Sequence, residues 1–283
     1  MRLELEVEPL DLAQTLGCGQ TFRWKPAADG SWVGPLDGQL VTLSQSGSKL
    51  FVEAVPGGRG VRELVETHLR KWDDVENVRK SLSKDPVLAP GLDRFSGLRI
   101  VKLEEWECLC SFALATYANI PRISKMIETL ASRFGKKITG NIHAFPTIER
   151  MKRASMAELS GCGLGYRARY IHDLSQVLDR DRIESLKRLG YEDLRSELME
   201  LPGVGDKVAD CVALFGFGKL EAFPIDVWMM RALERLYGQT GNYGKLRAFA
   251  HARFGPCAGY AQEYLYFNER ARASKGACAF SKR

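Results

Sequence analysis

The sequence predicts an α+β protein: an N-terminal antiparallel β lobe with flanking helices over residues 1–98, then a larger all-helical lobe over 99–283. Three observations carry that expectation. Apolar and polar residues alternate with a period of two in much of the first sixty positions, as half-buried strands require. From about Arg99 the apolar period lengthens to that of helices. Glycine and proline then fall between the helical stretches, where they start and stop them.

In chain order, "LELEVE" sets Leu3, Leu5 and Val7 on one face and glutamates on the other. "SWVGPLDGQLVTLSQSGSKLFVEAV" reads as strand, turn, strand, turn, strand. Asp37-Gly38 and Ser46-Gly47 supply turns that tolerate positive φ. "GGRG" (Gly57 to Gly60) breaks the pattern, and "VRELVETHLRKWDDVENVRKSLSKD" is helical in period and charge. "LEEWECLCSFALATYANIPRISKMIETLASRFG" reads as two helices parted near Asn119 to Pro121. "TIERMKRASMAELSGCGLGYRARYIHDLSQVLDR" gives two more, broken by "GCGLG". "YEDLRSELMEL" leads into the corner "LPGVG" and "DKVADCVALFGFG" leaves it, a helical hairpin at about 191–217. In "DVWMMRALERLYG", Asp226 is placed as an N-cap and Gly238 as a C-cap. The last long helix begins near Gly259.

Hydrophobic residues make up 45% and charged residues 27% of the chain, ordinary for a soluble globular protein. No apolar run approaches the roughly 18 residues that span a bilayer, and "MRLELEVEPL" has no signal-peptide core. The expectation is a cytoplasmic, monomeric protein with no membrane partner. Seven scattered cysteines form neither a disulfide framework nor a paired zinc pattern. Cys108 and Cys110 fall in an apolar helix and read as core residues. The formal charge of +6 is compatible with a polyanion partner without requiring one.

The hairpin carries the chemistry. Pro202 ends the first helix because it lacks an amide donor and crowds the preceding turn. Gly203 and Gly205 permit conformations and approaches that a Cβ blocks. The amides that follow are orphan donors suited to an anion such as a phosphate. The carbonyls before them can hold a monovalent cation. A bare helical corner with no ligand fits "PGVG" equally well. Lys207 lies in the first turn of the second helix, where the macrodipole disfavours a cation by roughly 0.3–1 kcal/mol. That placement favours the neutral amine, a nucleophile that forms Schiff bases. A lysine that reaches solvent or binds phosphate is the alternative. Asp226 starts a helix that must pack back near the hairpin, so its carboxylate can face Lys207. There it would steady an oxocarbenium-like transition state, or it is simply a cap.

Taken together, "LPGVGDKVADCVALFGFGKLEAFPIDVWM" resembles the helix-hairpin-helix, Gly/Pro…Asp superfamily of DNA glycosylases, and more narrowly the 8-oxoguanine DNA glycosylases with lyase activity. "GCGQTFRW", "FPTIERM", "GLGYRARYI" and "GPCAGYAQEYLYF" resemble that family's segments in its order, so the likeness spans nearly the whole chain. It implies double-stranded DNA containing oxidised guanine as partner. It implies Lys207 as the nucleophile at the sugar C1′, Asp226 as its assistant, and strand nicking by β-elimination. It implies a base pocket in which the Gly19 carbonyl reads the hydrogen on N7. There Gln262 reads the Watson–Crick edge and Cys211 and Tyr266 sandwich the ring, with Pro224 and Trp228 in the wall. For DNA it implies Gly203, Gly205 and Val208 at the hairpin and Asn119 beside the gap. Arg122 and Arg167 would read the unpaired cytosine, and Tyr166 would wedge the duplex. The carbonyls of Met199, Leu201 and Val204 match a structural cation site, and no cofactor serves catalysis.

The chain departs from the familiar pattern at "YANI", where one asparagine stands for three, at Trp228 for a histidine, and at Tyr266 for a phenylalanine. These changes suggest a bacterial or archaeal branch. Other hairpin glycosylases remain as alternatives. Only Cys257 and Cys278 follow the Asp226 helix, too few for their four-cysteine iron–sulfur loop. A non-catalytic DNA-binding hairpin is the remaining alternative.

Overall fold

The computed structural model describes residues 2–280, with side chains through Arg272. Cys278 therefore lies outside the described side chains. A five-stranded antiparallel sheet has the order β1-β5-β4-β3-β2, with β1 at Arg2–Glu6, β2 at Lys25–Pro26, β3 at Trp32–Leu36, β4 at Gln39–Ser46 and β5 at Lys49–Val55. Leu5 pairs with Leu50, and Leu43 with Val52. All four are buried, together with Val41 and Ala54. They pack against α1 (Leu12–Gly17), through its Leu12 and Leu16, and beneath α2 (Val61–His68), whose Val61 and Val65 close this smaller core.

The first tight turn falls as expected at Asp37-Gly38, both with positive φ. The second sits one residue later than expected. Ser46 pairs with Lys49, so Gly47 and Ser48 make the turn and Gly47 carries the positive φ of +59°. The helical stretch after "GGRG" is two helices, α2 and α3 (Val75–Leu82), because Arg70 turns left-handed at φ +47° and Asp74 caps the second. A short α4 (Ala89–Arg94) follows.

The helical lobe holds α5 (Glu105–Leu114) and α6 (Ile120–Phe134), the latter capped by Asn119. A small hairpin of β6 (Lys137–Thr139) and β7 (Ile142–His143) comes next, which the sequence pattern did not signal. Where two helices were expected there are three, α7 (Ile148–Lys152), α8 (Met156–Ser160) and α9 (Arg167–Val177). The extra boundary is a capping box in which Ser155 and Glu158 satisfy each other's backbone donors. Then come α10 (Arg180–Lys187), α11 (Tyr191–Met199), α12 (Asp206–Phe215) and α13 (Val227–Tyr237). Asp226 caps α13 and Gly238 ends it at φ +63°. Two more helices follow, α14 (Tyr243–Phe254) and α15 (Ala258–Phe280). The reading of the sequence passed over α14. Its buried Leu246, Ala250 and Phe254 recur every four residues, but Lys245, Arg247, His251 and Arg253 are interspersed among them.

Packing crosses the chain position at residue 98. Val75, Leu82, Leu92 and Phe95 join the helical core, whereas Val101 joins the core beneath the sheet. Arg99 stitches the crossing. Fully buried, it donates to the carbonyls of Leu69, Glu8, Pro9, Arg70 and Asp73. A buried guanidinium satisfied by this many acceptors fixes the geometry between segments, because losing any one leaves a desolvated polar group.

Candidate active site

The hairpin is held from below by a buried carboxylate. Asp210, wholly buried on α12, accepts from Tyr191 Oη at 2.7 Å, Tyr243 Oη at 2.6 Å and Arg195 Nε at 3.1 Å. Arg195 also grips Asp206, the first residue of α12. The corner is thereby tied to α11 and α14. Gly203 is demanded by the fold: its φ is +77°, and a Cβ there would fall 2.5 Å from the Tyr170 ring. Gly205 is not, since it is extended and a Cβ would meet nothing within 4 Å. Its openness lies toward the outside, in front of the uncapped amides of α12. Val208 is buried, so its amide rather than its side chain is what the helix start presents.

Lys207 stands in that first turn, half-buried, with Nζ 5.2 Å from the centroid of the Phe112 ring. It lines a cavity of about 600 Å³. Asp226 lines the same cavity. One carboxylate oxygen accepts from the Met229 amide at 2.8 Å as the cap of α13. The other makes no hydrogen bond among the described residues. The carboxylate and the amine are not ion-paired with each other, and both face the cavity. Cys211 sits one turn beyond Lys207, with its thiol pushed up to about 12, chiefly by burial and against the opposing Lys207 charge. It remains a thiol in the cavity wall.

The opposite wall comes from residues far away in sequence. Gln20 is buried and donates through Nε2 to the carbonyls of Thr15 and Arg99, both at 2.7 Å, while Oε1 accepts from the Val101 amide at 2.8 Å. These bonds pin the "CGQTF" turn onto the segment that leads into α5. Gly19 adopts φ +108° there. A Cβ would fall 2.9 Å from Ile120 Cδ1 and 2.6 Å from Arg270 Nη1. From α15, Gln262 is 5% exposed and its Oε1 has no hydrogen-bond partner. A buried carbonyl oxygen left unpaired costs about 1–3 kcal/mol, and this one lines the cavity. Tyr266, Pro224 and Trp228 line it too, Trp228 at the exposed mouth.

The expected pocket residues thus converge: Gly19, Cys211, Pro224, Trp228, Gln262 and Tyr266 share one cavity with Lys207 and Asp226. Of the residues expected at the DNA, Gly203, Gly205 and Val208 line the cavity as well, whereas Asn119, Arg122, Tyr166 and Arg167 lie outside its lining. Arg122 is exposed at the start of α6, and Asn119 uses its side chain to cap that helix through the Arg122 amide at 3.0 Å. Tyr166 is half-exposed, edge-to-face with Tyr170. Arg167 departs from the expectation of an outward-reading guanidinium. It is 3% exposed and donates to the carbonyls of Thr116 and Tyr117. It holds the loop that carries Tyr117, a residue at φ +50° and 94% exposed on the cavity rim.

Comparison with known proteins places this geometry. Residues 2–109 match the model described as "8-oxoguanine DNA glycosylase, N-terminal domain". Residues 111–255 match "HhH-GPD superfamily base excision DNA repair protein". The chain belongs to the HhH-GPD superfamily of base excision DNA repair proteins. An N-glycosylase/DNA lyase of Saccharomyces cerevisiae is 34% identical over 282 residues, covering 87% of this chain and 73% of that protein. A probable N-glycosylase/DNA lyase of Methanothermobacter thermautotrophicus is 33% identical over 235 residues, covering 74% and 75%. The solved 8-oxoguanine glycosylase/lyase of Clostridium acetobutylicum, bound to double-stranded DNA with cytosine opposite the lesion, superposes with a TM-score of 0.90. It is 29% identical, with 96% of this chain and 98% of that chain covered.

Within this HhH-GPD protein the sequence reading missed Phe112, Tyr117 and Glu263, all in the cavity lining. Tyr117 was seen only as a departure from an asparagine run. Its positive φ, rare for an aromatic, cannot be read from spacing. Glu263 follows Gln262 directly, in a helix that otherwise reads as aromatic core.

Proposed function

We propose that this chain is a bifunctional DNA glycosylase and β-lyase that excises 8-oxoguanine from double-stranded DNA. The observation that supports it best is the unpaired Gln262 Oε1 in the cavity that also holds Lys207 and Asp226. About 600 Å³ accommodates a flipped purine nucleotide, which such enzymes take out of the stack before acting on it. Gln262 then receives the donor edge of the base, and the Gly19 carbonyl accepts from N7–H, which guanine lacks.

The unprotonated Lys207 amine attacks C1′, the C1′–N9 bond breaks, and the base leaves with its electron pair. The free oxygen of Asp226 faces the positive charge developing on the sugar, which is the interaction that strengthens in the transition state. Opening of the sugar ring gives an imine between Nζ and C1′. Loss of a C2′ proton and departure of the 3′ phosphate then nick the strand. This chemistry needs no cofactor. The orphan amides of α12 take a phosphate, and exposed Arg122 reaches the opposite strand. Tyr117 is the aromatic available to stack where the flipped base was. The carbonyls of Met199, Leu201 and Val204 would supply an all-oxygen donor set suited to a hard cation, which would bridge the hairpin to that phosphate, the Leu201 carbonyl also accepting from the Val204 amide at 3.1 Å.

Borohydride trapping on duplexes with 8-oxoguanine opposite each of the four bases tests this reading. A covalent adduct is expected, abolished in Lys207→Gln, with strand cleavage reduced at least about a thousandfold. Failure to process any of the four duplexes while cleaving thymine glycol overturns the substrate assignment.

A further inference from the structure

Glu263 is 3% exposed, lines the cavity beside Gln262, and belongs to none of the steps above. Its Oε2 lies 3.4 Å from the Cys18 Sγ, which is itself fully buried and stands in donating position to it. The other Cys18 contact is the Thr15 carbonyl at 3.3 Å. The Cys18 carbonyl, one peptide before Gly19, accepts from Arg270 Nη1. Arg270 also presents its charge to Glu263 from two turns along the same helix. Glu263 and Arg270 thus hold Cys18 at both its side chain and its backbone, and Cys18 sets the peptide that aims Gly19. Gly19 has little freedom of its own, with Ile120 and Arg270 crowding its α-carbon.

We propose that Glu263 is a positioning residue for base discrimination, which acts through Cys18 and Arg270 to fix the Gly19 carbonyl against the cavity. This deepens the 8-oxoguanine reading and rests on it. A carbonyl that distinguishes N7–H from bare N7 does so by one hydrogen bond, so its direction must be held by the shell behind it. Nothing in α15 requires a carboxylate at 263 for helix formation, and an apolar residue there would fill the same space without an ionisable group. The groups facing Glu263 are Cys18 on the recognition turn, Arg270 on its own helix and Asp226 at the start of α13. Burial, with Asp226 adding to it, pushes the Glu263 carboxyl up to about 7 against the pull of Cys18 and Arg270. The ionised form is the better acceptor for the thiol and the stronger partner for Arg270, so the turn is held more firmly above that pH.

The experiment compares single-turnover excision of 8-oxoguanine with cleavage of a preformed abasic site, using the full chain. Abasic cleavage uses Lys207 but no base, so the ratio isolates recognition. Glu263→Gln and Cys18→Ala are expected each to lower that ratio about tenfold, as a small misplacement of a positioning group does. The double variant should show little further loss, because both act on one turn. Cys18→Ser, which restores a donor, should recover most of the ratio. In the wild type the ratio should rise as pH passes through about 7, and Glu263→Gln should lack that rise. An unchanged ratio in both variants, or equal loss of excision and abasic cleavage, overturns the proposal. If Glu263→Gln fails to fold, the contrast between Cys18→Ala and Cys18→Ser decides it, and failure of serine to rescue counts against it. A wild type that cleaves abasic sites but leaves 8-oxoguanine in place overturns the underlying substrate reading instead, and this proposal with it.

Discussion

Gln262 and Glu263 at the floor of the cavity, and Cys18 directly behind it, are each at most 5% exposed, whereas at its rim Tyr166 is 52% and Tyr117 94% exposed. The floor joins positions about 245 residues apart, and its groups are buried and crossed by hydrogen bonds. The rim draws on two segments, the loop that carries Tyr117 and the start of α9, joined where the Thr116 and Tyr117 carbonyls accept from Arg167 and the Thr116 carbonyl also accepts from Tyr166 Oη at 3.3 Å. The difference teaches where each task is done. Discrimination between two purines by a single hydrogen requires acceptors that cannot relax, which a buried, cross-linked wall provides. Meeting a duplex requires aromatic surface that is free of the protein until DNA arrives.

Asp226 lines the same cavity, and the largest effect is expected there. Asparagine is as good an N-cap as aspartate, so Asp226→Asn should leave thermal stability nearly unchanged. It should lower base excision by about 10²–10⁴-fold, the usual contribution of a positioned acid–base group. If excision survives, the carboxylate is only a cap. Gly19→Ala probes the floor alone. It forces an L side chain to φ +108° and into Ile120, and should lower excision about a hundredfold. Abasic-site cleavage should be affected much less, and equal losses would show that the turn serves folding rather than recognition.

Tyr117→Ala probes the rim alone. Loss of one stacking platform should weaken DNA binding by about 1–3 kcal/mol, measured by fluorescence anisotropy, while the preference for 8-oxoguanine over guanine holds. A lost preference would erase the division between floor and rim. The smallest effect concerns stability and pH. The Glu263 carboxyl is raised from its ordinary 4.5 to about 7 in the folded chain. Between those values the native state binds more protons than the unfolded chain, so this group's contribution is full below about 4.5 and falls as pH rises through about 7. The denaturant midpoint of Glu263→Gln relative to wild type should therefore be higher at about pH 8 than at about pH 5. A gap independent of pH would mean the carboxyl does not titrate in that window.

Much of this was legible in one dimension. The turn at Asp37-Gly38, the break near Asn119, the cap Asp226 and the stop at Gly238 are local events governed by a residue and its near neighbours. The same holds for Lys207 in the first turn of α12, since helix starts follow from short-range signals. The small β6–β7 hairpin, α14 and the split at Ser155 were not legible. Their apolar patterns are short, or crowded by charged residues, and packing rather than pattern stabilises them.

The sequence by itself determined the order of the two lobes, the hairpin, and the residue types able to carry imine chemistry, because each depends on spacing along a few turns. Tertiary structure alone decided that Gly19, Lys207, Asp226 and Gln262 line one cavity. It also set Glu263 behind the recognition turn, and spread the donors of Arg167 over Thr116 and Tyr117. The physical reason is that burial and hydrogen-bond satisfaction are properties of the packed interior. A carboxylate or guanidinium acquires its partners, and hence its protonation or its reach, only from segments that the chain brings beside it on folding.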